Sequence, residues 1–226
     1  MAITVQMRTQ VSQLYVALFG RAPDGDGLAF WVGRLDTLGG TAAAMTQIAN
    51  DMFATAPARA YFPLFLTNRE IISSFYVNVL GRAADTGGLD FWTAKLDARG
   101  ATPGSVITEM ISAVVSFPSS GSAEGVTSRD LFNNKVTVAQ AYGEKNLGVT
   151  NATSILSGVT ASTATVTAAL NLINTNNGAP IGTGGQTFTL TTGVDSGAAF
   201  TGGAGNDTFN AALSNGAQTL NSSDSL

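Results

Sequence analysis

Residues that could carry chemistry fall in two places in this 226-residue chain. The first is the stretch Leu14–Trp31, which holds Arg21, Asp24, Asp26 and Trp31 and returns 61 residues later as Phe75–Trp92, with Arg82, Asp85 and Trp92 in register. The second is Gly202-Gly203-Ala204-Gly205-Asn206-Asp207-Thr208-Phe209-Asn210, which matches the nonapeptide GGxGxDxUx, U being a large apolar residue. In that nonapeptide, glycines allow turns that aim carbonyl oxygens at a cation, the aspartate adds a charged oxygen, and the apolar residue anchors a short strand. Gly203, Gly205 and Asp207 are therefore expected to form half of a calcium site, the other half coming from a neighbouring repeat; the alternative is a plain glycine-rich loop.

The duplicated turn admits two chemistries and a structural alternative. Asp24-Gly25-Asp26-Gly27 resembles the opening of an EF-type calcium loop, but Leu35 stands where the twelfth-position glutamate belongs and the second copy reads Asp85-Thr86-Gly87-Gly88. The competing reading makes Asp24 and Asp85 helix N-caps. Arg21 and Arg82 either close the preceding helix and pair with those aspartates or face outward toward an anionic or sugar ligand. Trp31 and Trp92, each preceded by Phe, are either core residues at helical spacing or platforms for sugar rings.

Composition removes other functions. There is no Cys and no His, so thiol nucleophiles, disulfides and imidazole bases are excluded. With 11 basic against 15 acidic residues and a net charge of −4, the chain offers no basic patch for nucleic acid. No apolar run is long enough to span a membrane, and the first residues lack the pattern of a secretory signal. A glycosidase would need paired carboxylates on one cleft, for which Asp24, Asp26, Asp90 and Glu109 are the candidates.

Elements that must position these residues follow from periodicity. Apolar residues at 11, 14, 15, 18 and 19 recur as 72, 75, 76, 79 and 80, one face of a helix that ends at Gly20 and Gly81. A second helix carries Leu28, Trp31, Val32 and Leu35, and a third carries Met45 to Phe53, with counterparts in the second copy and Pro57 or Pro118 closing each unit. Residues 60–66 are expected to plug the space between modules. A further helix is expected from Ser128, with Asp130 in its first turn, then a short one at 152–156 and another from Thr163. After Lys145 no cation occurs, and Thr187–Thr191 alternates as a strand does.

The expected fold is therefore mainly α: a helical bundle of two duplicated three-helix modules plus extra helices, then a short Gly-rich β segment beginning a β-roll. The helical domain covers 1–175, with repeat 1 at 8–57, repeat 2 at 68–118 and extra helices at 127–175; a linker and the start of the calcium-binding roll cover 176–226. A ligand site in the helical body is expected in the groove between modules.

The duplicated pattern L/F-Y-V-x-x-x-GRA-x-D-x-x-G-L-x-F-W-x-x-x-L resembles the helical DUF4214 family, with two copies in residues 8–118. Asn134-Lys135-Val136 and Gly158-Val159-Thr160 resemble the helical extension of exported bacterial proteins that carry this domain ahead of repeat-in-toxin calcium repeats. Surface-layer proteins of alphaproteobacteria have this order. The resemblance implies a non-enzymatic N-terminal region that binds lipopolysaccharide O-antigen or another surface polysaccharide at the cell surface. It further implies calcium as cofactor, type I secretion without an N-terminal signal peptide, and self-association through a region beyond Leu226. The alternative it leaves open is an interaction or spacer module of another type I-secreted repeat-in-toxin adhesin or hydrolase.

Overall fold

The computed structural model describes residues 3–179, 187–192, 208–211 and 219, in two compact units, Met1–Gly178 and Ala179–Leu226. The fold is mainly α.

In the first unit, Thr4 caps α1 (Val5–Phe19), whose buried face is the periodic stripe from Val11 to Phe19. Gly20 ends it with φ +61°, a left-handed conformation that costs glycine little. Asp24 caps α2 (Gly25–Thr37) and Thr41 caps α3 (Ala42–Phe53). The second copy repeats the set as α4 (Asn68–Leu80), closed by Gly81 at φ +69°, then α5 (Thr86–Asp97) and α6 (Pro103–Val115). Thr67 and Glu70 form a reciprocal capping box at the start of α4, and Thr102 with Ser105 does the same for α6. Pro57 does more than stop a helix: it opens a 3-10 helix, Ala56–Ala60, joining the two copies.

Two local expectations are corrected. The helix expected from Ser128 is α7 (Ala123–Glu144), capped by Ser122, so Glu124 and not Asp130 lies in its first turn. The earlier start follows from the cap, since the Ser122 hydroxyl accepts from the Gly125 amide at 3.2 Å. The segment 60–66 is only half a plug. Phe62 is fully buried, yet Leu64 and Phe65 are 81% and 85% exposed. Phe62 is held by the 3-10 turn, its amide donating to the Ala58 carbonyl at 2.9 Å, whereas Pro63 turns the chain outward after it. The unit closes with α8 (Ser154–Ser157) and α9 (Thr163–Asn176).

Packing does not follow the repeat. The third helices of the two copies lie against each other, α3 on α6, while α7 packs on α1, α2, α4, α6 and α9 and ties the copies together. At the α3–α6 contact the Gly104 amide donates to Asn50 Oδ1 at 3.0 Å, and a Cβ on Gly104 would sit 2.5 Å from the Asn50 backbone nitrogen. Only glycine permits that approach. The core is continuous across both copies, from Val11, Leu14 and Leu18 through Ile48 and Met52 to Ile72, Phe75, Ile107 and Phe132.

In the second unit, β1 (Thr187–Thr189) pairs in parallel with β2 (Thr208–Asn210), Phe188 opposite Phe209. Their rings stack at 4.8 Å with 12° between planes. Gly203, Gly205 and Asp207 lie outside the described residues.

Candidate functional site

Each repeated turn gathers its arginine, its capping aspartate and its tryptophan near one tyrosine. In the first copy Arg21 Nη1 donates to the Ala22 carbonyl at 2.9 Å and to Asp24 Oδ2 at 3.1 Å, while its guanidinium lies 5.2 Å from the Tyr15 ring centre. Asp24 Oδ1 accepts from the Gly27 amide at 2.9 Å. Burial pushes the Asp24 carboxyl up, but the Gly27 amide and Arg21 outweigh it, and its pKa lies below the ordinary aspartate value. Burial first, then the Asp24 charge, push the Tyr15 phenol up to about 12, against the opposing pull of Arg21. A Cβ on Gly27 would collide with the Tyr15 hydroxyl, which explains the glycine at that position of the repeat.

The second copy repeats the arrangement more openly. Arg82 lies 5.1 Å from the Tyr76 ring centre, Asp85 Oδ1 accepts from the Gly88 amide at 2.8 Å, and Trp92 lines the same cavity as Tyr76. Arg82 also donates to Ser128 Oγ on α7 at 3.2 Å, and Ser128 passes the bond on to the Leu80 carbonyl. A cavity of about 260 Å³ remains beside Arg82, Asp85 and Trp92. The first turn is instead clamped by the chain after α7, the Ala22 amide donating to the Ala152 carbonyl at 2.8 Å and the Gly25 amide to the Leu147 carbonyl at 3.0 Å.

Arg21 turns back onto its own copy, and Arg82 onto its own copy and α7. Both oxygens of Asp24 are engaged, by an amide and a guanidinium, so the Asp24–Asp26 turn does not fit a calcium cradle and Asp26 stands exposed at the first turn of α2. Among the described residues no group of three or more acidic side chains is placed to hold a metal. Trp31 and Trp92 are half-buried against the core, each meeting an exposed Phe edge-on: Phe30–Trp31 at 5.0 Å and 80°, Phe91–Trp92 at 5.0 Å and 79°.

A different site lies between the copies. A groove of about 610 Å³ runs between α1 and α3 of the first copy and α6 of the second. Leu14, Met45 and Ile111 form its floor; Gln6, Gln10 and Gln13 line the α1 side, Thr46 the α3 side, and Ser112 the α6 side. Of the candidate acids only Glu109 lines it, and that carboxylate is paired with Lys95. Asp90 is paired with Arg69 at 2.6 Å, and neither Asp24, Asp26 nor Asp90 reaches the groove. The two-carboxylate arrangement of a glycosidase is not assembled there.

Single Gln, Thr and Ser side chains carry no motif, so nothing in the chain marks the groove residues individually. One signal was present: Gln6, Gln10 and Gln13 are spaced i, i+4, i+7, an uncharged polar stripe on one helix face.

The fold and groove define a helical module built from a duplicated unit. Residues 44–114 match the family model described as Domain of unknown function (DUF4214). The match begins in α3 and ends in α6, the two helices that pack on each other, and so takes in the end of the first copy and most of the second. No curated protein and no solved structure matches the chain.

Proposed function

We propose that the helical body is a non-enzymatic binding module that holds a surface-layer protein to the cell through lipopolysaccharide O-antigen. The observation that supports this reading best is the inter-copy groove, which has the volume of a ligand site yet only one carboxylate, itself paired, so its chemistry suits binding and not turnover. Calcium would enter through Gly203, Gly205 and Asp207 together with a neighbouring repeat, as the GGxGxDxUx motif implies. The protein then acts outside the cell, after type I export, and self-associates through downstream repeats.

A second reading, an interaction module of another secreted repeat-in-toxin adhesin or hydrolase, is favoured by the exposed Leu64 and Phe65. Incubating the purified chain with smooth cells and with rough cells lacking O-antigen separates the two. Anchoring predicts retention on smooth cells only; equal retention on both, or on neither, removes the O-antigen reading.

A further inference from the structure

We infer that the groove between α1, α3 and α6 is a binding site for an uncharged saccharide segment, held by Gln6, Gln10, Gln13, Thr46 and Ser112. The inference rests on the polysaccharide-binding reading above and adds to it the site and the charge class of the ligand. Among the described residues these five side chains have no hydrogen-bond partner, in contrast to their neighbours. Thr9 is bonded to Gln140, Thr108 to the Ser105 carbonyl and Ser116 to the Ser112 carbonyl. The lining thus divides into groups used by the fold and groups left over, and the leftover groups all face one space.

Their chemistry selects the ligand. Amides and hydroxyls both donate and accept, as sugar hydroxyls do, so each can serve either end of a hydrogen bond. The aliphatic floor of Leu14, Met45 and Ile111 suits the C–H face of a sugar ring. No cation lines the groove to meet a uronate, sulfate or phosphate, and its one carboxylate is already neutralised by Lys95. The volume of about 610 Å³ falls within the range of sites that enclose a ligand of a few rings.

The test uses the full 226-residue chain. Side-chain amide resonances of Gln6, Gln10 and Gln13 are followed by NMR during titration with neutral dextran, mannan and galactan fragments, with polysaccharide released from smooth lipopolysaccharide, and with polygalacturonate. The expected result is a shift of the Gln10 and Gln13 amides with a neutral probe, at an affinity indifferent to salt because no ion pair is involved. Replacing Gln10, Thr46 and Ser112 together by Ala is expected to lower that affinity at least about tenfold while the unfolding temperature stays near wild type.

Preference for polygalacturonate with strong salt dependence overturns the inference. So do silence of these amides throughout the series, or an amphipathic peptide that shifts them when no saccharide does. Retention of the triple variant on smooth cells at wild-type level overturns the groove as the site while leaving anchoring intact. Loss of wild-type retention removes anchoring itself, and the titration then decides the groove separately.

Discussion

At the scale of residues, the repeated turn spends its charge on itself. An aspartate that caps a helix and pairs with an arginine stacked on tyrosine is a device for fixing a helix–turn–helix angle, and the same three contacts occur in both copies. This makes the fold sensitive to acid. Asp24, Asp85 and Glu70 all have pKa values below their ordinary ones. In Asp24 hydrogen bonds overcome burial, in Asp85 the Gly88 amide leads, and in Glu70 the Thr67 amide and hydroxyl do. A depressed carboxyl contributes stability that is complete above its unfolded pKa and is lost as pH falls through the folded one. Thermal unfolding is therefore expected to be flat from neutrality to about pH 5 and to drop as the pH is taken below about 4. The variant carrying Asp24→Asn, Asp85→Asn and Glu70→Gln keeps its caps, because Asn also caps helices, and is expected to lose much of that slope. An unchanged acid slope in the variant would place the sensitivity elsewhere.

At the scale of elements, the decisive contact is α3 against α6, brought close by Gly104. Gly104→Val is expected to destabilise the chain by about 2 kcal/mol through overpacking against Asn50. Gly33 is the control, a helical glycine with nothing near where a Cβ would stand. Gly33→Ala is expected to raise stability by about 0.5–1 kcal/mol from helix propensity alone. Chemical denaturation of both variants checks the contrast, and equal effects would mean that the α3–α6 approach is not tight. Individual helices were legible beforehand because caps and periodicity are local: Asp24 and Asp85, Gly20 and Gly81, and the stripe at 11, 14, 15, 18 and 19 all act within one or two turns of chain. The start of α7 was less legible because it lies inside a Ser/Gly run whose cap, Ser122, is one of several serines.

At the scale of the whole molecule, the first unit closes its own core, and α7 supplies the cover that joins the two copies. A chain ending at Gly178 is expected to show the same thermal midpoint as the full chain by circular dichroism at the helical signal, with or without calcium, since the capping aspartates of both repeated turns are already engaged. A midpoint lower by more than a few degrees would mean that the body depends on residues after 178. The helices, their caps and the duplication are local properties of the chain, because each is fixed by side-chain spacing and hydrogen bonds within a few residues. Tertiary structure decided the partners. Six helices of two like modules present similar apolar stripes that could pair in several ways; in the folded chain α3 lies on α6, where Gly104 meets Asn50 closely enough to exclude a side chain. That pairing opened the groove and left five uncommitted polar side chains facing it; it is a property of long-range packing, which no local pattern in the chain records.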